Sequence, residues 1–200
     1  MPPMSTPAGP LILTLSLDKA SHQFLTNLRS KYFPAHRNFL SAHVTLFHAI
    51  PPQRINELDE YLNTICKEQK GWDVFIGEPK KMGKGGVMVS VRERPSGTID
   101  GIREELLYNM KKNTTSEGDR LTDQDLRKMG KPHVTVLNKA ENEEQVDKCL
   151  KEVEEVFEQL KQPGQKVGQQ KGQAIGFELW EYLRGGSWKP IKQYGLQAQH

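Results

Sequence analysis

Two histidine-x-threonine motifs are the residues of this chain best suited to chemistry. The tripeptide His-Val-Thr occurs at residues 43–45 and again at residues 133–135. Each copy opens a run of β-branched and aliphatic residues, HVTLFHAI and HVTVLNKA, which is typical of a strand. Because alternate residues of a strand point to the same face, each histidine is expected to share a face with the threonine two positions later. The valine between them then points into a core.

Two imidazoles and two hydroxyls on facing strands could split a phosphate ester. The ordinary pKa of histidine, near 6.5, leaves both protonation states accessible at neutral pH. One of His43 and His133 could take a proton from water while the other gives one to the leaving alkoxide, and the sequence leaves open which does which. Thr45 and Thr135 could donate hydrogen bonds to the non-bridging oxygens as charge builds. No metal or other cofactor is expected, because two distant histidines without an adjacent carboxylate make a poor zinc site.

Several residues near the motifs have both a functional and a structural interpretation. Arg37, Arg127 and Lys131 could steer a phosphate, or they could be ordinary solvated charges. By strand alternation, Phe47 and Leu137 fall on the face of the motif histidines, where they could stack on a base or simply pack. The sequence leaves these roles open.

The remaining histidines and the aromatic residues of the closing hairpin are weaker candidates. Alternation places His48 on the strand face opposite His43, as a structural or rim residue. His36, in the loop before the first motif, could be either functional or structural. Trp188 and Tyr194 could stack on a base, although packing is favoured for both. Solvent exposure is expected for the other two histidines of the chain, His22 and His200.

The composition is that of an ordinary folded protein. Hydrophobic residues make up 36% and charged residues 26% of the chain, and no stretch approaches the roughly 18 apolar residues of a membrane span. A net charge of +3 suits an anionic small molecule or an RNA end better than a long duplex. Cys66 and Cys149 match no metal-ligand spacing and are expected to be reduced, buried thiols. Residues 1–9 lack a secretion signal and are expected to form a flexible leader, and residues 197–200 a frayed tail.

Hydrophobic periodicity predicts strands and helices in alternation. Glycines at residues 83, 85 and 86 predict a turn between two strands, and the glutamine-rich stretch at residues 164–173 is expected to be a linker or surface loop. The predicted strands cover residues 11–17, 43–50, 72–79, 87–92, 133–138, 174–183 and 187–196, and the predicted helices cover residues 18–32, 55–65, 99–112, 123–129 and 143–160.

This order of elements indicates an internal duplication. It reads strand, helix, motif strand, helix, strand, then the same again, followed by one final strand. Mixed hairpins and crossovers favour an α+β fold: a single two-lobed domain over residues 1–200, with two largely antiparallel sheets flanked by helices. Two related halves would place His43 and His133 on opposite walls of a shared groove.

Paired His-x-Thr strands in a chain of this size resemble the two-histidine (2H) phosphoesterase superfamily, which includes the bacterial 2'-5' RNA ligases and the cyclic nucleotide phosphodiesterases. The resemblance extends over both motifs, the order of elements and the closing hairpin FELWEYLRGGSWKPIKQYGL. It implies a bilobal, pseudo-two-fold fold and metal-independent cleavage of 2',3'-cyclic or 1'',2''-cyclic phosphates, usually to a 2'-phosphate. It also implies that His43 and His133 are the acid-base pair and that Thr45 and Thr135 bind the phosphate.

We therefore expect a monomeric enzyme, either cytoplasmic or both cytoplasmic and nuclear, that hydrolyses a cyclic phosphodiester on a nucleotide or an RNA terminus without a membrane or an obligate protein partner. One alternative is a 2'-5' RNA ligase or 3' exonuclease-type member, which the modest net charge disfavours. The other is a catalytically silent nucleotide- or RNA-binding module, which the presence of both complete motifs disfavours. The polar segment before the second motif leaves substrate choice open.

Overall fold

The computed structural model describes residues 3–165 and 168–198. Over these residues the strands pair antiparallel in one curled sheet with the order β2-β1-β6-β3-β4-β5, and β7 pairs with β6. In chain order the elements are β1 (Leu11–Leu17), α1 (Lys19–Tyr32), β2 (Val44–Ile50), α2 (Ile55–Glu68), β3 (Trp72–Met82), β4 (Gly86–Arg94), α3 (Thr98–Lys112), α4 (Asp123–Leu126), β5 (His133–Leu137), α5 (Glu143–Gln159), β6 (Gln169–Tyr182) and β7 (Trp188–Gly195).

The sheet is symmetric about its central strand pair, β3 and β6. The unit β1-α1-β2-α2-β3 corresponds to β4-α3-β5-α5-β6, so that the motif strands β2 and β5 lie at opposite ends of the strand order. Curling of the sheet brings these two ends toward each other. The predicted α+β class, antiparallel pairing and duplication are therefore confirmed. The two predicted sheets are joined by the β3–β6 pairing into a single one.

Apolar stripes explain where the two long helices after the motif strands pack. In α2 the buried side chains are Ile55, Leu58, Leu62 and Ile65, at the helical spacing that predicted the helix. In α5, Phe157 is buried and meets Phe24 of α1 edge to face, with ring centroids 5.6 Å apart. Burying each such side chain stabilises the fold by about 1.5–3 kcal/mol.

The glutamine-rich stretch at residues 164–173 corrects the sequence prediction in part. Residues 169–173, expected to lie in a loop, form the first part of β6 and pair with β3 from Asp73 to Gly77. Backbone hydrogen bonds hold this part of the strand, although none of its side chains is apolar. Gly172 lets it pass close to α1, since a Cβ there would lie 2.0 Å from the Ser21 hydroxyl oxygen. Residues 166 and 167 of the predicted loop lie outside the described residues.

Hydrogen bonds reach both predicted terminal segments. The amide of Met4 donates to Asn56 at 2.7 Å, and the amide of Ala8 donates to the Glu181 carboxylate at 2.9 Å. At the other end, the amide of Gln197 donates to the carbonyl of residue 69 at 3.1 Å. Residues 1, 2, 199 and 200 of the predicted leader and tail lie outside the described part of the chain.

Two expectations about thiols and membranes can also be compared with the fold. Cys66 and Cys149 are both free, and Cys149 is buried. Burial raises the pKa of the Cys66 thiol to about 11, so it is protonated at neutral pH. In the described residues, none of the helices has both the length and the apolar character to span a bilayer.

Candidate active site

One cavity of about 450 Å³ collects the side chains of both motifs. Its lining includes His43 and Thr45 from the β2 end of the sheet and His133 and Thr135 from β5. The structure therefore brings the four predicted site residues together. The volume lies within the range of about 300–1,000 Å³ that is usual for small-molecule sites.

The two motif histidines are held in the same way. Nδ1 of His43 lies 2.9 Å from the carbonyl oxygen of Ser41, and Nδ1 of His133 lies 2.9 Å from that of Lys131. A carbonyl only accepts, so each Nδ1 carries the hydrogen. Each Nε2 is then free to take or give a proton, because the second nitrogen of a neutral imidazole is an acceptor.

The motif threonines have hydroxyls available for a ligand. Thr45 has no side-chain hydrogen-bond partner among the described residues. The Thr135 hydroxyl has only a weak contact, 4.0 Å from the sulfur of Met82. Both threonines are half-buried, so a phosphate in the cavity can reach them. Hydroxyl donors of this kind stabilise negative charge on non-bridging oxygens.

A β-bulge follows each motif and ends the simple alternation of faces. Thr14 of β1 pairs with Thr45 while Leu13 pairs with Phe47, which leaves Leu46 as the extra residue. In β5 the corresponding extra residue is Val136, because Met88 and Val87 of β4 pair with Thr135 and Leu137. The two bulges occupy the same position in the duplicated unit, three residues after the histidine.

The bulges overturn three sequence-based placements. Phe47 and Leu137, expected on the active face, are buried in the core at 0% and 4% exposure. His48, expected on the face opposite His43, lines the cavity, with half of its side chain exposed. The cause is physical: the extra residue shifts the side chains that directly follow it to the opposite face of the strand.

Two buried arginines cross between the halves and support the motif strands, and the sequence analysis missed both. Arg29 of α1 donates from Nη1 to the carbonyl of Thr135 at 2.8 Å. Arg103 of α3, the corresponding helix, donates from Nε to the carbonyl of Leu46 at 3.0 Å. Burial lowers the pKa of Arg29 to about 10, which leaves it charged at neutral pH. The available signal was an arginine within the apolar stripe of each helix.

Asp125 of the short helix α4 holds the segment of β2 after its bulge. Its carboxylate, fully buried, accepts hydrogen bonds from the amides of His48 and Ala49, both at 2.8 Å. Nδ1 of His48 lies 3.3 Å from the same carboxylate. Burial alone would raise the pKa of Asp125, but the hydrogen bonds from His48 and Ala49 lower it below its ordinary value, so the group is a carboxylate at neutral pH.

His43 has a drier environment than its position at a strand end suggested. The ring of Trp188, at the start of β7, lies 4.6 Å from the His43 ring. Burial lowers the pKa of His43 to about 4, the hydrogen bond to Ser41 opposes this, and the nearby charge of Arg29 adds to it. His43 is therefore neutral at neutral pH. Trp188, for which packing was favoured, both packs on this histidine and lines the cavity. Tyr194 is buried, and its hydroxyl donates to Asp59 at 2.6 Å.

The walls of the cavity are positively charged. Arg127 and Lys131 line it, as expected for residues that steer a phosphate, whereas Arg37 and His36 line a different cavity between α1 and α5. Within the described part of the chain no aspartate or glutamate lines the motif cavity, and no group of three or more His, Cys, Asp and Glu side chains is placed to hold a metal ion.

Comparisons with known proteins place this geometry in a family. The model of the 2'-5' RNA ligase superfamily matches residues 17–178, whereas no curated protein sequence matches the chain. TT0787 of Thermus thermophilus is 14% identical, with a TM-score of 0.59 over 96% of this chain and 100% of that one. Escherichia coli LigT in complex with 3'-AMP is 15% identical, with a TM-score of 0.56 over 94% of this chain and 98% of that one. A protein described as a phosphoesterase is 14% identical, with a TM-score of 0.57 over 94% and 99%.

The structural similarities show a shared fold, and the family match, which covers most of the chain, includes both motifs. This chain and the TT0787 structure share a fold in which helices flank a curled antiparallel sheet. The chain therefore belongs to the 2'-5' RNA ligase superfamily of 2H phosphoesterases.

Proposed function

We propose that this chain is a hydrolase that opens a cyclic phosphodiester on a ribose without a metal ion. Candidate substrates are a 2',3'-cyclic nucleotide, an RNA end with a 2',3'-cyclic phosphate and an ADP-ribose cyclic phosphate. The observation that carries the proposal is the matched pair His43 and His133, each fixed through Nδ1 with Nε2 free in the same cavity. Membership of a phosphoesterase and ligase superfamily supports this class of reaction.

The environment of His43 supports a division of roles between the two histidines. His43, whose pKa is lowered to about 4 by burial, is unprotonated at neutral pH and suits the general base. Its Nε2 takes a proton from water as the water oxygen forms a bond to phosphorus. With a 2',3'-cyclic phosphate, His133 gives the proton on its Nε2 to the ribose 3'-oxygen as the bond between that oxygen and phosphorus breaks. The product carries a 2'-phosphate, and exchange with solvent returns both histidines to their starting states.

The threonines and the surrounding cations complete the reaction. As water adds, negative charge grows on the two non-bridging oxygens, and the hydroxyls of Thr45 and Thr135 donate to them from opposite walls. Arg29 and Arg103 do not contact the phosphate in this scheme. They hold the carbonyls of the motif strands in place and so keep the donors in register.

A substrate panel tests the proposal. Purified protein is incubated with 2',3'-cyclic AMP, an oligonucleotide ending in a 2',3'-cyclic phosphate and ADP-ribose 1'',2''-cyclic phosphate, each with and without excess EDTA. We expect hydrolysis of at least one substrate, a 2'-phosphate product from the 2',3'-cyclic substrates by NMR, and no loss of activity with EDTA. Loss on chelation that zinc or manganese restores would contradict the metal-free mechanism. Joining or trimming of 2'-5'-linked RNA without ring opening would identify a ligase or exonuclease instead, and binding without turnover a silent module.

A further inference from the structure

The motif cavity carries more positive charge than a single cyclic phosphate requires. A cyclic phosphodiester has one negative charge, and the two threonines and two histidines of the motifs already face it. The same cavity is also lined by Arg103, Arg127, Lys128 and Lys131. Arg103 is occupied with backbone carbonyls, but Arg127 and Lys128 are exposed and form no ion pair among the described residues. Unpaired cations around a cavity without carboxylates indicate a site for additional negative charge.

A third histidine, His48, lines the same cavity as Arg127 and Lys128. The exposed fraction of the His48 side chain is 51%, and its ring is oriented by the Asp125 carboxylate at 3.3 Å from Nδ1. A carboxylate only accepts, so Nδ1 donates to it, and Nε2 is left for a ligand. In its imidazolium form the ring donates from both nitrogens at once.

His48, Arg127 and Lys128 form a cationic wall of the cavity that has no counterpart after the second motif. The residue that corresponds to His48 after the second motif is Asn138, whose side chain accepts from the amide of Lys139 at 2.8 Å and is not among the described residues that line the cavity. Asp125 belongs to α4, which lies between α3 and β5 of the second unit, and the described first unit has no α-helix between α1 and β2. The acid-base pair is thus duplicated, whereas the cationic wall is present on one side only. An asymmetric substrate, with one further anionic group to one side of the ring phosphate, matches this arrangement.

The polar segment before the second motif, residues 113–131, is held against β2 and α3 by buried hydrogen bonds and supplies two residues of this wall. Asp125 binds the backbone of β2, and its own carbonyl accepts from Nη2 of Arg103 at 2.7 Å. Arg127 and Lys128 follow directly and reach the cavity from there. The wall is therefore positioned by a buried network, although its charged ends are exposed.

We propose that His48, Arg127 and Lys128 form a second anion subsite, which binds the 5'-phosphoryl group of the ribose whose other oxygens carry the cyclic phosphate. This rests on the proposed function, because it assumes that the cyclic phosphate binds between the two motifs. The 5'-oxygen is the remaining ribose position that bears phosphate in both candidate sources: the internucleotide phosphate of an RNA end and the pyrophosphate of ADP-ribose cyclic phosphate. A 2',3'-cyclic mononucleotide without a 5'-phosphate leaves the subsite empty.

The kinetic test compares two substrates that differ only in that group. The value of kcat/KM is measured for adenosine 2',3'-cyclic phosphate with and without a 5'-phosphate. We expect the 5'-phosphate to raise kcat/KM by about 10- to 100-fold, the range of one or two charge-assisted hydrogen bonds. The double variant Arg127→Ala/Lys128→Ala and the single variant His48→Gln should each lose most of this preference. Equal losses on both substrates would indicate general electrostatic steering and would overturn the subsite.

A matched control and a binding arm keep the subsite separable from the catalytic proposal. The double variant Lys111→Ala/Lys112→Ala removes two exposed charges at the end of α3, away from the cavity, and should keep the preference of the unmodified protein. Calorimetry with adenosine 2'-phosphate and adenosine 2',5'-bisphosphate reports on the subsite without turnover. Tighter binding of the bisphosphate, lost in Arg127→Ala/Lys128→Ala, supports the subsite even if no cyclic phosphate is hydrolysed. Equal binding of the two compounds overturns it.

A final pair of substrates distinguishes the sources of the 5'-phosphoryl group. A dinucleotide ending in a 2',3'-cyclic phosphate carries a 5'-phosphodiester with one charge, and ADP-ribose 1'',2''-cyclic phosphate carries a pyrophosphate with two. If both substrates have a higher kcat/KM than the mononucleotide, and both increases depend on Arg127 and Lys128, the subsite is confirmed, and the larger kcat/KM identifies the preferred source. If neither substrate has a higher kcat/KM, the subsite is wrong, while the hydrolysis of the mononucleotide is unaffected by this result.

Discussion

The two motif strands share a scaffold but differ in their surroundings. In both, a histidine is fixed through Nδ1 to a carbonyl two residues earlier, a bulge follows at the same position, and an arginine from the opposite half holds the strand. Among the described residues, however, a tryptophan covers only His43, and a buried carboxylate lies behind the bulge of β2 only. The differences come from β7, which lies outside the duplicated unit, and from the segment that contains α4, which is inserted between α3 and β5 of the second unit. Duplication thus supplies a pair of equivalent groups, and elements without a counterpart give them different surroundings.

The largest effect is expected from removing either member of the pair. His43→Ala and His133→Ala should each lower kcat by about 10²–10⁴-fold, because each variant lacks one proton transfer. The double variant should be little worse than either single one, since the two groups act as a unit. Steady-state kinetics with circular dichroism measures this, and His36→Ala, in the loop before the first motif, is the control. Near-normal turnover by either variant would show that the halves are not a catalytic pair.

Removal of the hydroxyl donors of Thr45 and Thr135 should lower kcat somewhat less. Thr45→Val and Thr135→Val keep the side-chain shape and should each lower kcat by about 10²-fold, as expected for the loss of one donor to a developing charge. Similar losses in the two variants would show that the halves contribute equally to charge stabilisation. Thr64→Val, on the exposed side of α2, is the matched control and should have no effect. If one motif threonine can be replaced without loss of kcat, the two strands are equivalent in their histidines but not in their threonines.

The difference between the two histidines should appear in the pH dependence. A base with a pKa of about 4 becomes protonated, and activity is lost, only as pH falls toward 4, so the acid limb of kcat/KM should lie well below 6.5. Trp188→Ala opens the His43 ring to water and should move this limb upward, toward the ordinary value, because burial is the largest cause of the shift. NMR titration of the histidine ring protons measures the same change in the unliganded protein. An acid limb near pH 6.5 in the unmodified protein would contradict the assignment of His43 as the general base.

The smallest of these effects concerns stability. Asp125→Asn should lower the free energy of unfolding by about 1–3 kcal/mol, because the amide places an N–H group against a backbone amide that it cannot satisfy. Urea unfolding measures the change. Asp123→Asn, an exposed position on the same short helix, is the control and should stay within about 0.5 kcal/mol. If the two variants are equally stable, the carboxylate does not hold the segment after the bulge, and the asymmetry of β2 needs another explanation.

The pattern of local elements was accessible from the sequence because it depends on neighbours along the chain. Strand β1 and the buried stripe of α2 were predicted within a residue or so, and both motif histidines were predicted to share one groove, which the structure forms. Local pattern failed at residues 169–173, where a strand is held by backbone pairing with β3 rather than by apolar side chains. It failed again at Phe47 and His48, since a bulge is set by register with β1.

By itself, the sequence determined the family, the duplicated order of elements and the four motif residues, because these depend on residue types and short spacings. The tertiary structure alone decided what distinguishes the two halves. The carbonyl that Arg103 holds lies 57 residues away in the chain, and the amide of His48 that Asp125 binds lies 77 residues away. The dry environment of His43 depends on a tryptophan from the final strand. Desolvation and buried hydrogen bonds arise only when distant segments meet, so packing gives otherwise identical motifs different environments.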